Sequence, residues 1–333
     1  MANDFHIADF LDALDEPAML IRGATVASAN AAARELFGTG IEGSDVRLAI
    51  RHPRALEFIL PGRDGDLDLT GIGSLDRPWQ LRLRRLGDAM LFVQLVDRSA
   101  AHSAEKMRVD FVANASHELR TPLSVILGYA ESLEDGTVSP NESGRVGAII
   151  GGEAKRMLRI IEDLMSLSRI EADRFVAATD RIEVGQVLRS AVDNNALMAG
   201  KCDCEIQVDA ANDLPAIAGD YPQLVQLFDN LVSNAIRYGC IGQPCVINVS
   251  AVLKDEQVCV VVSDNGPGIA RQHLPRVTER FYRADPARSR TSGGTGLGLS
   301  IVKHIVERHR GSLSIDSVVG TGTQVTVRLP VAR

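Results

Sequence analysis

Aromatic side chains are scarce in this 333-residue chain, making up 4 % of it with a single tryptophan. Surfaces that hold single-stranded nucleic acid are built from stacked rings, so the composition argues against that class. Positive charge is also in deficit: 36 Lys and Arg against 43 Asp and Glu leave a formal net charge of −7. Such a chain is a poor candidate for tracking phosphate backbones, and no nucleic-acid partner is expected.

Long apolar runs are missing as well. None approaches the ~18 residues that signal a spanning helix. The opening "MANDFHIADFLDALDEPAML" is acidic and interrupted, unlike a signal peptide. The expected location is cytoplasmic, and membrane association would need an anchor preceding this chain. No Gly-x-x-x-x-Gly-Lys-[Ser/Thr] occurs, so a P-loop is absent. The five cysteines, Cys202, Cys204, Cys240, Cys245 and Cys259, include no Cys-x-x-Cys pair. Cys202 and Cys204 are two ligand candidates without a partner pair, so the cysteines read as reduced residues in or near strands. A reducing compartment is expected.

What remains is the profile of an ordinary globular protein, 45 % hydrophobic and 24 % charged, long enough for two or three domains. Phe5, Phe10, Leu11 and Leu14 follow helical spacing. "AMLIRGATVASANAAARELFG" reads as strand, turn, strand and short helix. A Gly/Asp-rich stretch follows, and then "WQLRLRRL" alternates strictly, Trp79, Leu81 and Leu83 facing one way and Arg82 and Arg84 the other. After a Gly87-Asp88 turn, "AMLFVQLVD" is its partner strand. Residues 1–97 therefore predict a small α+β domain, and 98–110 a helical linker.

The pattern then changes to long helices over 111–174. Phe111, Ala115, Leu119, Pro122, Ile126, Tyr129 and Leu133 step by four and three, a coiled-coil-like seam. Ser139, Pro140 and Glu142 predict the start of a second helix through an N-cap, a first-turn proline and a capping-box acid. Val146, Ile150, Met157, Ile161 and Leu164 form its apolar side. Gly144, Gly147, Gly151 and Gly152 lie within it, each costing up to ~1 kcal/mol against Ala, which predicts a segment made to bend. A two-helix hairpin cannot hide both stripes alone, so a homodimeric four-helix bundle is expected. Over 180–333 strands and helices alternate without a regular βαβ repeat, predicting an α/β sandwich on a mixed sheet.

Four polar constellations stand out. In "FVANASHELRTPL", His117 lies two residues from both Ala115 and Leu119, about 200° around the helix from the seam, and should face solvent. Glu118 is adjacent, Thr121 is one turn on, and Pro122 should kink the helix. An imidazole beside a carboxylate suits nucleophilic chemistry, and it equally fits an ordinary surface; no second ligand supports a metal there. In "FDNLVSNAIRYG", Asn230 and Asn234 share a helix face, a pair suited to Mg²⁺ carried by nucleotide phosphates or simply to solvation; Arg237 and Tyr238 follow. In "SDNGPGIA", Asp264 ends a strand and can accept from a base amino group, and Gly266 and Gly268 let backbone pass close to a ring; alone it is also a good turn. In "SGGTGLGLSIVKHIV", Gly294, Gly296 and Gly298 precede a helix and offer N–H groups to phosphates. The polar loop before it carries Arg283, Arg288 and Arg290, after Arg280.

Their order resembles the sensor histidine kinases of two-component signalling. "SHELRTPL" resembles the H box, "DNLVSNAIRYG" the N box, "DNGPGI" and "GGTGLGL" the two glycine boxes, and "ERFYR" the F box. The likeness spans residues 105–333, and "DFVANASHELRTPL" after a sensor-like region is most similar to the PhoR-like group. It implies a multidomain α+β protein: a PAS-type sensor module, a dimeric phosphotransfer hairpin and a GHKL/Bergerat-type ATP-binding sandwich. It implies autophosphorylation of His117 from Mg²⁺-ATP and transfer to an aspartate of a response regulator. Glu118 would be the general base, and Thr121 would place water for phosphatase activity. Asn230 and Asn234 would hold Mg²⁺, Arg237 would approach the phosphates, and Tyr238, Asp264, Gly266, Gly268 and Ile269 would form the adenine side. Gly294, Thr295, Gly296, Leu297 and Gly298 would cover the phosphates, and Asp97 would join sensor to helix. A nucleotide-binding scaffold, or a phosphatase-biased regulator without net kinase activity, is the alternative.

Overall fold

The computed structural model describes residues 7–73, 77–87, 89–173, 178–211, 213–240, 245–284 and 294–332. Phe5, Asp88, Arg288 and Arg290 lie outside the described residues. The chain divides into two compact units, Met1–Val112 and Ala113–Arg333.

In the first unit a short helix α1 (Ile7–Asp12) precedes strands β1 (Ala18–Arg22) and β2 (Thr25–Ala29). Helices α2 (Ala31–Phe37), α3 (Val46–Ala49) and α4 (Pro53–Ile59) follow, then strands β3 (Gly65–Leu69), β4 (Trp79–Leu86) and β5 (Met90–Asp97). The five strands form one antiparallel sheet in the order β2-β1-β5-β4-β3. The alternation in β4 has the expected sense: Trp79, Leu81 and Leu83 are buried while Arg82 and Arg84 are exposed. Trp79 also donates its indole N–H to the Ile72 carbonyl at 2.8 Å, which satisfies its one polar atom inside the core. β3 sits inside the Gly/Asp-rich stretch, its leucines inward and its aspartates outward. Asn30 caps α2 and also bonds the Ala18 N–H and the Leu14 and Glu16 carbonyls, tying the segment before β1 to the end of β2.

Helix α5 (Ser99–Glu134) begins in this unit and crosses the division. Asp97 opens it, accepting from the Ser99 N–H at 2.7 Å and from the Arg77 guanidinium. Hydrogen bonding from the Ser99 side chain, then from the Ser99 N–H and Arg77, holds its carboxyl down at about 2.

In the second unit α5 runs unbroken through Pro122, the one buried residue of that helix, and the Thr121 hydroxyl donates to the His117 carbonyl. Helix α6 (Ser143–Ala172) starts three residues later than the capping signal places it, its N-cap being Glu142 rather than Ser139. Ser139 and Glu142 do bond each other, at 2.7 Å between hydroxyl and carboxylate, but they close a turn ahead of the helix. α6 is continuous across its glycines, and a Cβ on Gly144, Gly147, Gly151 or Gly152 would meet nothing within 4 Å. Its buried line is Val146, Arg156, Ile160, Leu167 and Ile170, whereas Ile161 is exposed.

The remainder is a five-stranded mixed sheet, β11-β12-β10-β9-β7, with a separate β6-β8 pair. Its elements are β6 (Asp180–Ile182), α7 (Val184–Lys201), β7 (Cys204–Ala210), β8 (Ile217–Gly219), α8 (Tyr221–Asn234), β9 (Cys245–Lys254), β10 (Gln257–Asp264), α9 (Gly298–Arg308), β11 (Ser312–Val318) and β12 (Gly322–Pro330). Among the described residues only β7–β9 pairs parallel, and a regular βαβ repeat is correspondingly absent from the sequence pattern. α8 buries Leu224, Leu227, Phe228, Leu231 and Val232, the three-and-four spacing of a helix laid on a core. Buried His309, past the end of α9, bonds the Ile305 carbonyl through Nδ1 and accepts the Asp220 N–H at Nε2, clamping the start of α8. Accepting at Nε2 requires that nitrogen to carry no proton, and burial pushes the pKa of the ring down in the same direction. No described helix is long and apolar enough to cross a membrane.

Candidate active site

Helix α8 does not simply stop at Asn234. It widens into one π-type turn, Ala235–Gly239, which carries Arg237 and Tyr238. This turn lies against the end of β10 because both sides lack side chains: a Cβ on Gly266 would come within 2.4 Å of the Gly239 Cα. Gly268 adopts φ +69, and a Cβ there would meet the Val318 carbonyl oxygen at 2.2 Å. Asp264 is fixed in the gap, its Oδ1 accepting the N–H groups of Gly266 at 2.9 Å and Thr323 at 3.3 Å. Burial raises its pKa above the usual carboxylate value, and those two N–H groups oppose the rise.

These segments enclose a cavity of about 560 Å³. Asn230, Asn234, Arg237, Tyr238, Asp264, Gly268, Ile269, Gly294, Thr295, Gly296 and Gly298 all line it. Gly266 and Leu297 do not: Gly266 packs behind Asp264, and Leu297 is fully buried, its N–H donating to the Thr295 hydroxyl. Phe281 holds the strained left-handed conformation, φ 62, while its N–H donates to the Gly296 carbonyl at 2.8 Å.

Helix α6 supplies a wall that no motif announces. Arg159, Glu162 and Asp163 line the cavity, and the Thr295 hydroxyl donates to Asp163 at 2.7 Å. Asp163 and Asp229 are both pushed up by burial, while burial lowers Arg237 between them. Asn194 and Asn195 of α7 complete that side, Asn195 donating to Asp229 at 2.8 Å.

His117 and Thr121 are exposed and lie outside the cavity lining. Glu118 connects to it: its carboxylate accepts from Arg156 at 2.9 Å and from Arg283, a lining residue, at 3.3 Å. Arg283 also bonds the Gly294 carbonyl. The hairpin thus meets the cavity through Glu118–Arg283 and Asp163–Thr295, and it meets the rest of the ATP-binding region through an Arg280–Glu171 ion pair and Ser166–Gln226.

Residues 107–173 match the His Kinase A (phospho-acceptor) domain, and residues 219–333 match the histidine kinase-, DNA gyrase B- and HSP90-like ATPase family. The chain is 37 % identical over 317 residues to the phosphate regulon sensor protein PhoR of Pseudomonas aeruginosa, covering 91 % of this chain and 69 % of that one. The chain is a sensor histidine kinase of the PhoR-like group. The kinase is also 34 % identical over 300 residues to the sensor-like histidine kinase SenX3 of Mycolicibacterium smegmatis, covering 90 % and 73 % of the two chains. Among solved structures it shares its fold with the Acinetobacter baumannii histidine kinase AdeS at TM-score 0.53 and 21 % identity, over 65 % of this chain and 98 % of that one. The kinase therefore joins a helical phosphoacceptor region to an α/β ATP-binding domain, uses ATP, and serves two-component signal transduction.

Proposed function

We propose that this kinase moves the γ-phosphoryl group of ATP onto a ring nitrogen of His117 and from there onto an aspartate of a response regulator. The observation that carries this reading is convergence. Asn230, Asn234, Arg237 and Tyr238 from one segment, with Asp264 and Thr295 from two others further along the chain, line one cavity beside the hairpin that bears His117. The imidazole nitrogen attacks phosphorus, the bond to the β–γ bridging oxygen breaks, and ADP leaves. The proton released by the ring passes to Glu118, its neighbour. Such transfer needs position and charge neutralisation more than covalent help. Arg237 faces the phosphates, while Tyr238 and Asp264 hold the adenine side. Thr121, one turn beyond His117, places water for removal of the phosphoryl group from the regulator.

Asn230 and Asn234 fit a Mg²⁺ site. A Cβ on Gly298 would lie 3.1 Å from Asn230 Oδ1 and 3.7 Å from Asn234 Nδ2, so its absence keeps space beside both amides. Neutral amide oxygens leave room for water and phosphate ligands, and the ion would offset phosphate charge. Exposed Leu123, Leu127, Leu158, Ile161 and Met165 support pairing of two hairpins into a homodimeric four-helix bundle. The antiparallel sheet with helices between β2 and β3 supports a PAS-type sensor for residues 1–97, joined to α5 at the Asp97 cap. The kinase acts in the cytoplasm on a receiver domain.

Incubation with γ-labelled ATP tests the reading. Acid-labile label should appear on the wild type, be absent from His117→Gln, and pass to a receiver domain. ATP turnover with no labelled protein would overturn it, and nucleotide binding with neither turnover nor label would favour a scaffold.

A further inference from the structure

Three of the five cysteines, which no sequence motif groups, do come together. Cys204 opens β7 and Cys245 opens β9, directly opposite each other in the parallel pair. Cys240 follows the π-type turn that ends α8. The three sulfur atoms all lie within 4.8 Å of one another. Cys245 is buried, Cys204 and Cys240 are half-buried, and Cys202, two residues before Cys204, is exposed.

We propose that Cys204, Cys240 and Cys245 form a binding site for a thiophilic closed-shell metal ion, Cu⁺ or Zn²⁺. Among the described residues the cluster holds three thiols and no carboxylate or imidazole, a soft donor set once deprotonated, which selects these ions over Mg²⁺ or Ca²⁺. The spacing suits it. Tetrahedral thiolate ligands at about 2.3 Å from zinc sit about 3.8 Å apart, so each sulfur needs to close by about 1 Å at most. Three sulfurs suffice for trigonal Cu⁺, and Cys202 or water completes a tetrahedron for Zn²⁺. Binding exchanges three thiol protons for the ion, with no oxidant or reductant required. The half-buried rim gives access, and the buried Cys245 anchors the site to the sheet.

The position gives the ion a lever. Cys240 is the first residue after Gly239, and the preceding turn carries Arg237 and Tyr238 of the nucleotide cavity. A metal that ties Cys240 to the ends of β7 and β9 restrains that turn. Metal and nucleotide binding are then linked, and by reciprocity each changes the affinity of the other.

The test uses the full chain, reduced and stripped of metal. It is titrated with Co²⁺ as a coloured probe, then with Zn²⁺ in competition, and separately with Cu⁺ buffered by a chelator. A saturable thiolate-to-metal charge-transfer band at about one ion per chain is expected. The band should vanish in Cys204→Ser/Cys240→Ser and persist in Cys259→Ser. Bound ion in the wild type should also protect Cys204 and Cys240 from alkylation, a readout that does not depend on any variant folding. A fluorescent nucleotide should change affinity about five-fold or more on loading, and only with Cys240 present. Absence of a saturable band with every ion, or a band that survives the double substitution, overturns the site. Equal nucleotide affinity with and without metal overturns the lever.

Discussion

Asp264→Asn separates binding from folding in the proposed nucleotide site. Oδ1 of Asp264 is already committed to the N–H groups of Gly266 and Thr323, so Oδ2 is the oxygen that remains for a ligand. Asparagine keeps the Oδ1 acceptor and its two backbone bonds, but its amide nitrogen replaces Oδ2. A donor then faces the adenine amino group, also a donor. Loss of one hydrogen bond to a charged acceptor removes about 1.5–3 kcal/mol. That corresponds to nucleotide binding about ten- to a hundred-fold weaker. Folding stability should move the other way. Burial raises Asp264 in the folded chain, so its proton is held more tightly folded than unfolded. The stability it contributes is complete below the unfolded carboxylate value of about 3.9 and is lost as pH rises through the higher folded value. Asparagine carries no such loss. Titration with a fluorescent ATP analogue, beside thermal unfolding of the nucleotide-free protein at neutral pH, reads both quantities. Weakened binding with an unchanged or raised midpoint is expected. Affinity within about two-fold of wild type, or a clearly lowered midpoint, would refute the assignment of Asp264 to the ligand.

Removing the Glu118 side chain should cost more than neutralising it. Arg156 is 8 % exposed and has only Glu118 at 2.9 Å and Glu153 at 3.8 Å as ion-pair partners among the described residues. Glu118→Ala should therefore destabilise by about 1–3 kcal/mol in denaturant unfolding, Glu118→Gln by less, and both should slow autophosphorylation. Gly147→Ala/Gly151→Ala should stabilise by up to about 1 kcal/mol per site, because the added methyls meet nothing and α6 is already helical. An unchanged or lowered unfolding midpoint would show that those glycines serve contacts outside a single chain.

What could be read in advance follows from where the information lies. β4 and β10 were legible because strict alternation and an apolar run bounded by Asp264 are local patterns. α8 was legible because its apolar spacing spans four turns. α3 and α4, of four and seven residues, are too short to show a period, and β3 hid in a stretch whose glycines and aspartates read as loop. The motif side of the cavity was visible from "FDNLVSNAIRYG", "SDNGPGIA" and "SGGTGLGL". Its other side was not. Asp163, Arg159 and Asn195 are single polar residues on ordinary helices, and only packing brings them to Thr295, Arg237 and Asp229. The cysteine cluster was hidden for the same reason: it depends on the β7–β9 register and on where α8 ends, neither of which leaves a spacing rule in the chain.

The central claim is that His117 receives the phosphoryl group, and phosphopeptide mapping tests it most directly. The wild-type kinase is incubated with Mg²⁺-ATP, digested at neutral or alkaline pH to preserve phosphoramidate, and sequenced by tandem mass spectrometry. The expected result is a single phosphorylated peptide containing "ASHELR", with the modification on His117. Phosphate on any other residue, or an unmodified His117 peptide in a sample that has hydrolysed ATP, would contradict it.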